Sequence, residues 1–417
     1  MKYAILTFGC RVNQADSFDF ERDLHACGGV PAPPETADVV VVNTCTVTAS
    51  ADRSARSAIR RIARANPNAH ILATGCYATR LPGDLDRLPG VVALLPNDGK
   101  QQFTDWLDQY ADPEIRAVEP FRHQAPIPGT AGRTAYPLRV QTGCDGSCSY
   151  CIVPSTRGVS RSQPLEGVLR QVRRLEAAGY RELWLTGVHL GSYGRDLRPA
   201  SSLADLLTAL DRVPGDVRFR ISSLEPMDCT CGIVDFVAGS RRFLPHLHLP
   251  FQHVSARMLE MMRRPYSFET WNRLIDHVRD RLPEAAIGGD VIVGFPGETD
   301  RDFQALADYL EQASLTHLHV FPYSDRPGTA AAAFPSKVGV AEIRRRADTA
   351  RRLGRALTDR FVSRMLSTTR NGLTLGDGTL VLTDNYLKVR ISPGHSRNVR
   401  VRVRLLHADP LRGEVVA

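Results

Sequence analysis

Apolar and polar positions along the first hundred residues predict β-strands at 3–8, 37–42 and 69–74, separated by polar, arginine-rich stretches of helical character. Strands alternating with helices build a parallel sheet. From Leu138 six more strand-like runs follow, near 138–143, 182–187, 217–222, 246–251, 288–294 and 317–323, with amphipathic segments between them. Six βα units predict an incomplete TIM-like barrel with its chemistry at the carboxyl ends of the strands. Positions 340–370 read as one long helix carrying Arg344, Arg345, Arg346, Arg351, Arg352, Arg355 and Arg360. Alternation at 380–382, 387–390 and 399–403 then predicts a small terminal β-barrel. Proline-containing sequence before Leu138, including Ala125-Pro126-Ile127-Pro128-Gly129, reads as a linker. The expected fold class is α/β, with an N-terminal parallel α/β domain over 1–105, a linker over 106–135, a partial (βα)6 barrel over 136–340, the arginine-rich helix over 341–366 and a short all-β domain over 367–417.

At 417 residues and 43% hydrophobic, the chain buries more than one core. It has no apolar run long enough for a membrane span, and 1–10 lacks the features of a secretory signal, so the expected location is cytoplasmic and the expected partners exclude a membrane. A net charge of +8, from 53 basic and 45 acidic side chains, is compatible with a polyanionic partner. Nine cysteines without a secretory signal argue for metal ligation or redox chemistry rather than a disulfide framework.

Cysteine spacing sharpens this. Cys144, Cys148 and Cys151 lie in a loop directly after a predicted strand, and one specified triple spacing arises by chance with a probability on the order of half a per cent. Thiolates select zinc or iron-sulfur clusters. Structural zinc wants four closed ligands, and this loop offers no fourth Cys or His, whereas a cubane held by three thiolates keeps one iron open for chemistry. A second trio, Cys10, Cys45 and Cys76, follows the three N-terminal strands, where open α/β sheets bind their ligands.

The spacing from Cys144 to Cys151 resembles the cluster motif of the radical S-adenosylmethionine (SAM) superfamily. Gly9-Cys10-Arg11-Val12-Asn13-Gln14, Asn43-Thr44-Cys45 with Ala51-Asp52-Arg53 downstream, and Thr74-Gly75-Cys76-Tyr77 resemble the N-terminal domain of the radical methylthiotransferases. The stretches 141–162, 185–194 and 290–299 fit the same family, so the resemblance spans nearly the whole chain. It implies two 4Fe-4S clusters. One, on Cys144, Cys148 and Cys151, would be chelated by SAM and release a deoxyadenosyl radical on reduction; the other, on Cys10, Cys45 and Cys76, would carry the sulfur to be transferred. Wording around Cys10 and Cys45 is most similar to the subfamily acting on threonylcarbamoyladenosine beside the tRNA anticodon, and Asp384-Asn385-Tyr386-Leu387 resembles an RNA-binding barrel of the TRAM type. The implied activity is that of a transferase converting N6-threonylcarbamoyladenosine of tRNA into its 2-methylthio derivative. The implied partners are the anticodon stem-loop, an electron donor such as flavodoxin or ferredoxin, and a sulfur donor.

For SAM contacts, Tyr150 matches the superfamily's aromatic near the adenine, Gly187 and Gly294 permit close backbone approach, and Ser223 and Glu225 offer polar groups at a strand end. His253 stands where tRNA-acting members carry serine, and resembles the relatives that modify a ribosomal protein. This keeps a protein substrate open, beside a non-enzymatic RNA-binding cluster protein and an enzyme whose second cluster only transfers electrons. Cys27, Cys229 and Cys231 match no ligand, and His189 reads as a strand-end hydrogen-bonding residue.

Overall fold

The computed structural model describes residues 1–109, 127–129 and 133–416; the first two residues of the 125–129 linker stretch lie outside them. The N-terminal strands are β1 (Lys2–Thr7), β2 (Val30–Pro31), β3 (Val39–Thr44), β4 (His70–Gly75) and β5 (Val91–Leu95), and they form one sheet in the order β2-β1-β3-β4-β5. All its pairings are parallel. β3 is buried along its whole length, as its unbroken apolar run requires of a strand covered on both faces. Periodicity predicts the three central strands; β2 has only two residues and β5 closes the edge, too short a signal and too weak an alternation to stand out. Helices α1 (Arg11–Ala26), α2 (Ala49–Ala65) and α3 (Cys76–Arg80) follow β1, β3 and β4. Cys10 is therefore the N-cap of α1, Cys45 leaves the end of β3, and Cys76 opens α3.

The second unit starts with β6 (Tyr136–Arg139) and the small hairpin of β7 (Gln141–Thr142) with β8 (Arg161–Ser162), and continues through β9 (Glu182–Thr186), β10 (Arg218–Ile221), β11 (His246–Gln252), β12 (Ala286–Val293) and β13 (His317–Pro322). Two parallel sheets, β10-β9-β6 and β11-β12-β13, are joined by bridges Phe219↔Phe243 and Ser223↔His248 into one six-stranded arc. Outward residues such as Leu183, Leu185, Phe219, Leu247, Ile287 and Val291 pack under the surrounding helices. Strand alternation then turns Trp184, Arg220, His246, His248, Asp290, His317 and His319 to the other face, the lumen. Gly288 has no side chain there because a Cβ would collide with the imidazoles of His317 and His248.

The helix Val340–Met365 packs against β13 through Leu353, Gly354 and Leu357, with Leu318 seated on Gly354. Arg344, Arg351, Arg352, Arg355 and Arg360 face outward, whereas Arg346 is buried, paired with Glu298, Glu342 and Asp300. Its last turn enters the core of a closed barrel of β14 (Thr369–Leu375), β15 (Leu380–Thr383), β16 (Lys388–Arg390), β17 (Arg400–Ala408) and β18 (Leu411–Val416). This barrel plugs the larger one. Arg220 bonds the carbonyls of Thr383 (3.1 Å) and Asp384 (2.9 Å), and the Tyr386 ring reaches the lumen, 4.3 Å from His246 and 5.2 Å from His317, on a backbone with φ of 73°. A left-handed tyrosine is strained, and here the inserted ring is what holds it. No helix among the described residues is long and apolar enough to cross a membrane.

Buried charge fixes the N-terminal unit to the barrel. Asp16 on α1 is 1% exposed and accepts from Lys100, from Arg139 of β6 and from Arg157 at 2.9 Å. On the other side Asp52 of α2 accepts from Arg326, beyond β13, at 2.7 Å, and Arg326 also bonds the Thr46 carbonyl at 3.0 Å. Removing one partner of such a pair strands the rest in a desolvated site. We expect Asp16→Ala, which leaves buried Arg157 without a carboxylate, to cost about 3–5 kcal/mol in urea denaturation. Asp348→Ala, which breaks an exposed pair with Arg351, leaves the midpoint unchanged.

Candidate active site

The loop after β7 brings Cys144, Cys148 and Cys151 together. The Cys144 amide bonds the Gly158 carbonyl (3.0 Å), and the Cys151 amide closes a turn on the Cys148 carbonyl (3.1 Å). Donors surround the sulfurs. The Gly146 amide lies 3.2 Å from Cys144 Sγ, Arg264 Nη1 lies 3.5 Å from Cys148 Sγ, and His189 Nδ1 lies 3.7 Å from Cys144 Sγ. Burial, with the neighbouring thiols adding to it, pushes the Cys151 thiol up to about 12. His189 moves to about 10, first through its hydrogen bond to Asp228 (2.7 Å) and then through Cys144, so it stands as a cation beside that sulfur. The expected hydrogen-bonding role of His189 holds, and one of its partners is a thiol.

Cys10, Cys45 and Cys76 converge at the rim of the N-terminal sheet. Gly9, at φ of 90°, lets the two loops close on each other, since a Cβ there would sit 2.7 Å from Cys45 Sγ. Asn13 donates to the Phe8 carbonyl (2.7 Å) and the Thr44 carbonyl (2.9 Å), and Asn43 donates back to the Asn13 carbonyl (2.8 Å), which ties the Cys10 loop to the Cys45 loop. Burial first, then the charges of Cys10, Cys76 and Asp52, pushes the Cys45 thiol up to about 12. Burial acts upward on Cys76 as well, but Arg157 and Lys100 more than offset it and hold this thiol below its usual range. One trio is thus reinforced by a cation from the other trio's domain.

Among the described residues, neither trio brings its three sulfurs within 4.8 Å of one another, the closeness a single ion requires. Three soft donors fit a polynuclear cluster with an open corner and not a closed zinc site, because His189, the histidine beside Cys144, is held through Nε2 by Asp228 and stands protonated at the sulfur, which a metal-bound imidazole nitrogen cannot be. A cavity of about 170 Å³ opens beside Cys151, walled by Val47 and Thr48 of the chain that follows Cys45, by Tyr150 and Cys151, and by Gln252, Asp290, Phe321 and Tyr323. Asp290 is gripped by His248 Nε2 (2.9 Å) and His319 Nδ1 (3.1 Å). Burial acts to raise its carboxyl, but the two imidazoles hold it well below the usual carboxylate range. A larger cavity of about 850 Å³ follows the seam between α1 and β6, lined by Asp16, Lys100, Arg139 and Arg157, and contains no cysteine.

Of the residues expected at SAM, Tyr150 lines the cavity. Glu225 is held by an ion pair with buried Arg264, and Ser223 is exposed where β10 meets β11. The two glycines are packed against protein on their Cβ side. A Cβ at Gly187 would meet Gln141, and one at Gly294 would meet Ile343 of the long helix. His253 turns away from the cavity: fully buried, its Nδ1 accepts from the amides of Val254 and Ser255 at 3.0 Å, which leaves Nε2 to donate to Glu298 at 3.3 Å. It caps a turn. Cys229 is a core thiol, Cys231 starts a helix on the surface, and Cys27 caps α1. Sequence reasoning missed Asp228, Arg264, Asp290's two histidines and Arg157. Only the alternate histidines of His246-Leu247-His248 and His317-Leu318-His319 were a visible signal of a polar strand face.

Two family models match the chain: the uncharacterized protein family UPF0004 over residues 2–96, and the radical SAM superfamily over residues 138–310. A threonylcarbamoyladenosine tRNA methylthiotransferase of Bacillus subtilis is 37% identical over 80% of this chain and 76% of its own length, and one of Thermotoga maritima is 33% identical over 99% and 98%. A tRNA-2-methylthio-N(6)-dimethylallyladenosine synthase of Carboxydothermus hydrogenoformans is 33% identical over 81% and 79%. Among solved structures, a radical SAM methyltransferase from Kitasatospora setae, with cobalamin and a [4Fe-4S] cluster bound, shares the fold at a TM-score of 0.57 and 16% identity, over 79% of this chain and 76% of that one. With such relatives aligned from end to end, and the cysteine loop seated at the mouth of the six-stranded barrel, the chain belongs to the radical SAM tRNA methylthiotransferase family.

Proposed function

We propose that the chain converts N6-threonylcarbamoyladenosine next to the tRNA anticodon into its 2-methylthio derivative. Membership of the radical SAM superfamily implies a 4Fe-4S cluster and SAM. We assign that cluster to Cys144, Cys148 and Cys151, and a second 4Fe-4S cluster, bearing the sulfur, to Cys10, Cys45 and Cys76. When bound, these groups supply the one-electron chemistry and the sulfur that an unactivated aromatic C–H bond needs. The observation that carries the reading is the cavity walled by the loops of both trios, since carbon-sulfur bond formation needs one base to reach both.

The chain's own side chains do the positioning. His189 and Arg264 direct donors at thiolate sulfurs, which stabilises the charged ligand form. Tyr150, Phe321 and Tyr323 offer aromatic faces on which an unstacked base can lie. Asp290, kept ionised by His248 and His319, presents an acceptor to the base edge. The outward arginines of the long helix and the terminal barrel are proposed to hold the stem through phosphates, with an electron donor such as flavodoxin or ferredoxin and a sulfur donor as further partners. A ribosomal-protein substrate loses its one supporting feature, because His253 is buried in a turn.

Anaerobically reconstituted protein should hold about eight irons per chain. Joint replacement of Cys10, Cys45 and Cys76 by alanine should leave about four, with SAM still cleaved on reduction and no methylthio product; product from that variant refutes the division of labour. In cells lacking the gene, nucleoside mass spectrometry of tRNA should show 2-methylthio-N6-threonylcarbamoyladenosine disappear, and an unchanged level contradicts the substrate. Deleting the terminal barrel is a poor probe of RNA binding, since Tyr386 and the carbonyls on Arg220 leave with it. Arg352→Ala with Arg355→Ala should instead lower the slope of log affinity against log salt by about two, as for two lost phosphate contacts; an unaltered slope removes this face from the interface.

A further inference from the structure

Arg11 opens α1 directly after Cys10 and points into the lumen. Its guanidinium carbon lies 3.4 Å from the centre of the Trp184 ring, and its one hydrogen bond among the described residues is a long one, 3.4 Å, to the Tyr386 hydroxyl. No carboxylate of the described residues pairs with it. Other deeply placed guanidinia have a carboxylate: Arg157 has Asp16, Arg220 has Glu182 besides two carbonyls, Arg264 has Glu225, Arg326 has Asp52 and Arg346 has Glu298, while buried Arg242 bonds the carbonyls of Val217, Leu210 and Val213 and keeps one buried nitrogen without a partner. Arg11 has no carboxylate either but is only half-buried and lies at the lumen, so an edge of its fork stays reachable.

A guanidinium taken partly out of water without a counter-ion is costly, and its planar fork matches a carboxylate in a two-point contact. The substrate proposed above carries one such group, the free carboxylate of threonine on N6. In adenine, C2 and the carbon bearing N6 both flank N1, so a base whose C2 edge meets the Cys10 trio carries its N6 substituent close to the residue that follows Cys10. On β12 the imidazoles of His248 and His319 are both engaged by Asp290, so neither is free to receive an anion. Arg11 therefore presents the lumen with a guanidinium that no carboxylate has taken.

We infer that Arg11 binds the threonyl carboxylate of the N6 substituent and thereby selects this base over adenosines whose N6 substituent is neutral. The assignment rests on the proposed substrate. A phosphate oxygen of the RNA offers the same chemistry, and the test separates the two sources. Holoenzyme, with its iron content measured for each variant, is assayed for methylthio product on an anticodon stem-loop RNA carrying N6-threonylcarbamoyladenosine and on the same RNA with the threonine carboxylate converted to its carboxamide. Wild type should prefer the acid by about 100-fold in kcat/KM, and Arg11→Gln should lose about 100-fold on the acid but less than about 3-fold on the amide, with Arg11→Lys in between. Equal losses on both RNAs with weaker RNA binding assign Arg11 to a phosphate, and equal losses with fewer irons assign it to the Cys10 loop; either overturns the inference. Wild type that shows no acid preference overturns it without reliance on any variant. If wild type makes no product from the acid-bearing RNA at all, the substrate reading falls and takes this assignment with it, an outcome told apart by the failure of the unaltered enzyme.

Discussion

A buried carboxylate, Asp16, ties the supports of the two cysteine trios to each other. It sits on the helix that Cys10 caps, and it accepts from Arg157, which ends the short helix two residues after the loop of Cys144, Cys148 and Cys151. Arg157 also reaches Asn13 and lowers the Cys76 thiol, so one guanidinium touches the supports of both trios. Charges this deep are held by short, direct contacts rather than by screened attraction, and they resist sliding. Asp52 and Arg326 make the matching contact at the opposite edge, on the Thr46 side of the Cys45 loop. The cavity hangs between these two knots, and its width follows from them.

The barrel lumen shows how a fold built for packing is turned to chemistry. Residues facing outward on β9 to β12 are aliphatic or aromatic and make one continuous core. The alternate positions on the same strands carry imidazole, carboxylate, guanidinium and indole, which an ordinary filled barrel does not tolerate. Here they are tolerated because they satisfy one another: Arg220 with Glu182, His248 and His319 with Asp290. The buried nitrogens of His246, whose ring lies tilted against Tyr386, have no partner among the described residues. The polar lumen and the apolar shell are thus two readings of one alternating pattern.

Much of this was legible along the chain because its signals are local. Strand periodicity located all six barrel strands and the three strands that deliver Cys10, Cys45 and Cys76, and the spacing of Cys144, Cys148 and Cys151 needs only eight consecutive positions. What escaped is long-range. Asp16 meets Lys100, Arg139 and Arg157 across 84, 123 and 141 residues, and nothing near Asp16 announces them. Gly294 and Gly187 show a related limit of local signals: a glycine marks a close approach without saying whether ligand or protein does the approaching. His253, set in a motif next to the cavity residue Gln252, faces away because Gln252 takes a left-handed backbone with φ of 64°.

Tyr386 gives the terminal barrel a second part to play. Its ring forms the floor on which Trp184, His246 and His317 rest, so the appendage that would grip RNA is also a stopper for the reaction vessel. A chimaera that borrowed this module from another protein would inherit that protein's floor as well. Modules of this kind are therefore exchangeable only as far as the loop from Thr383 to Leu387 is kept with the host, because the seal belongs to the vessel and not to the grip.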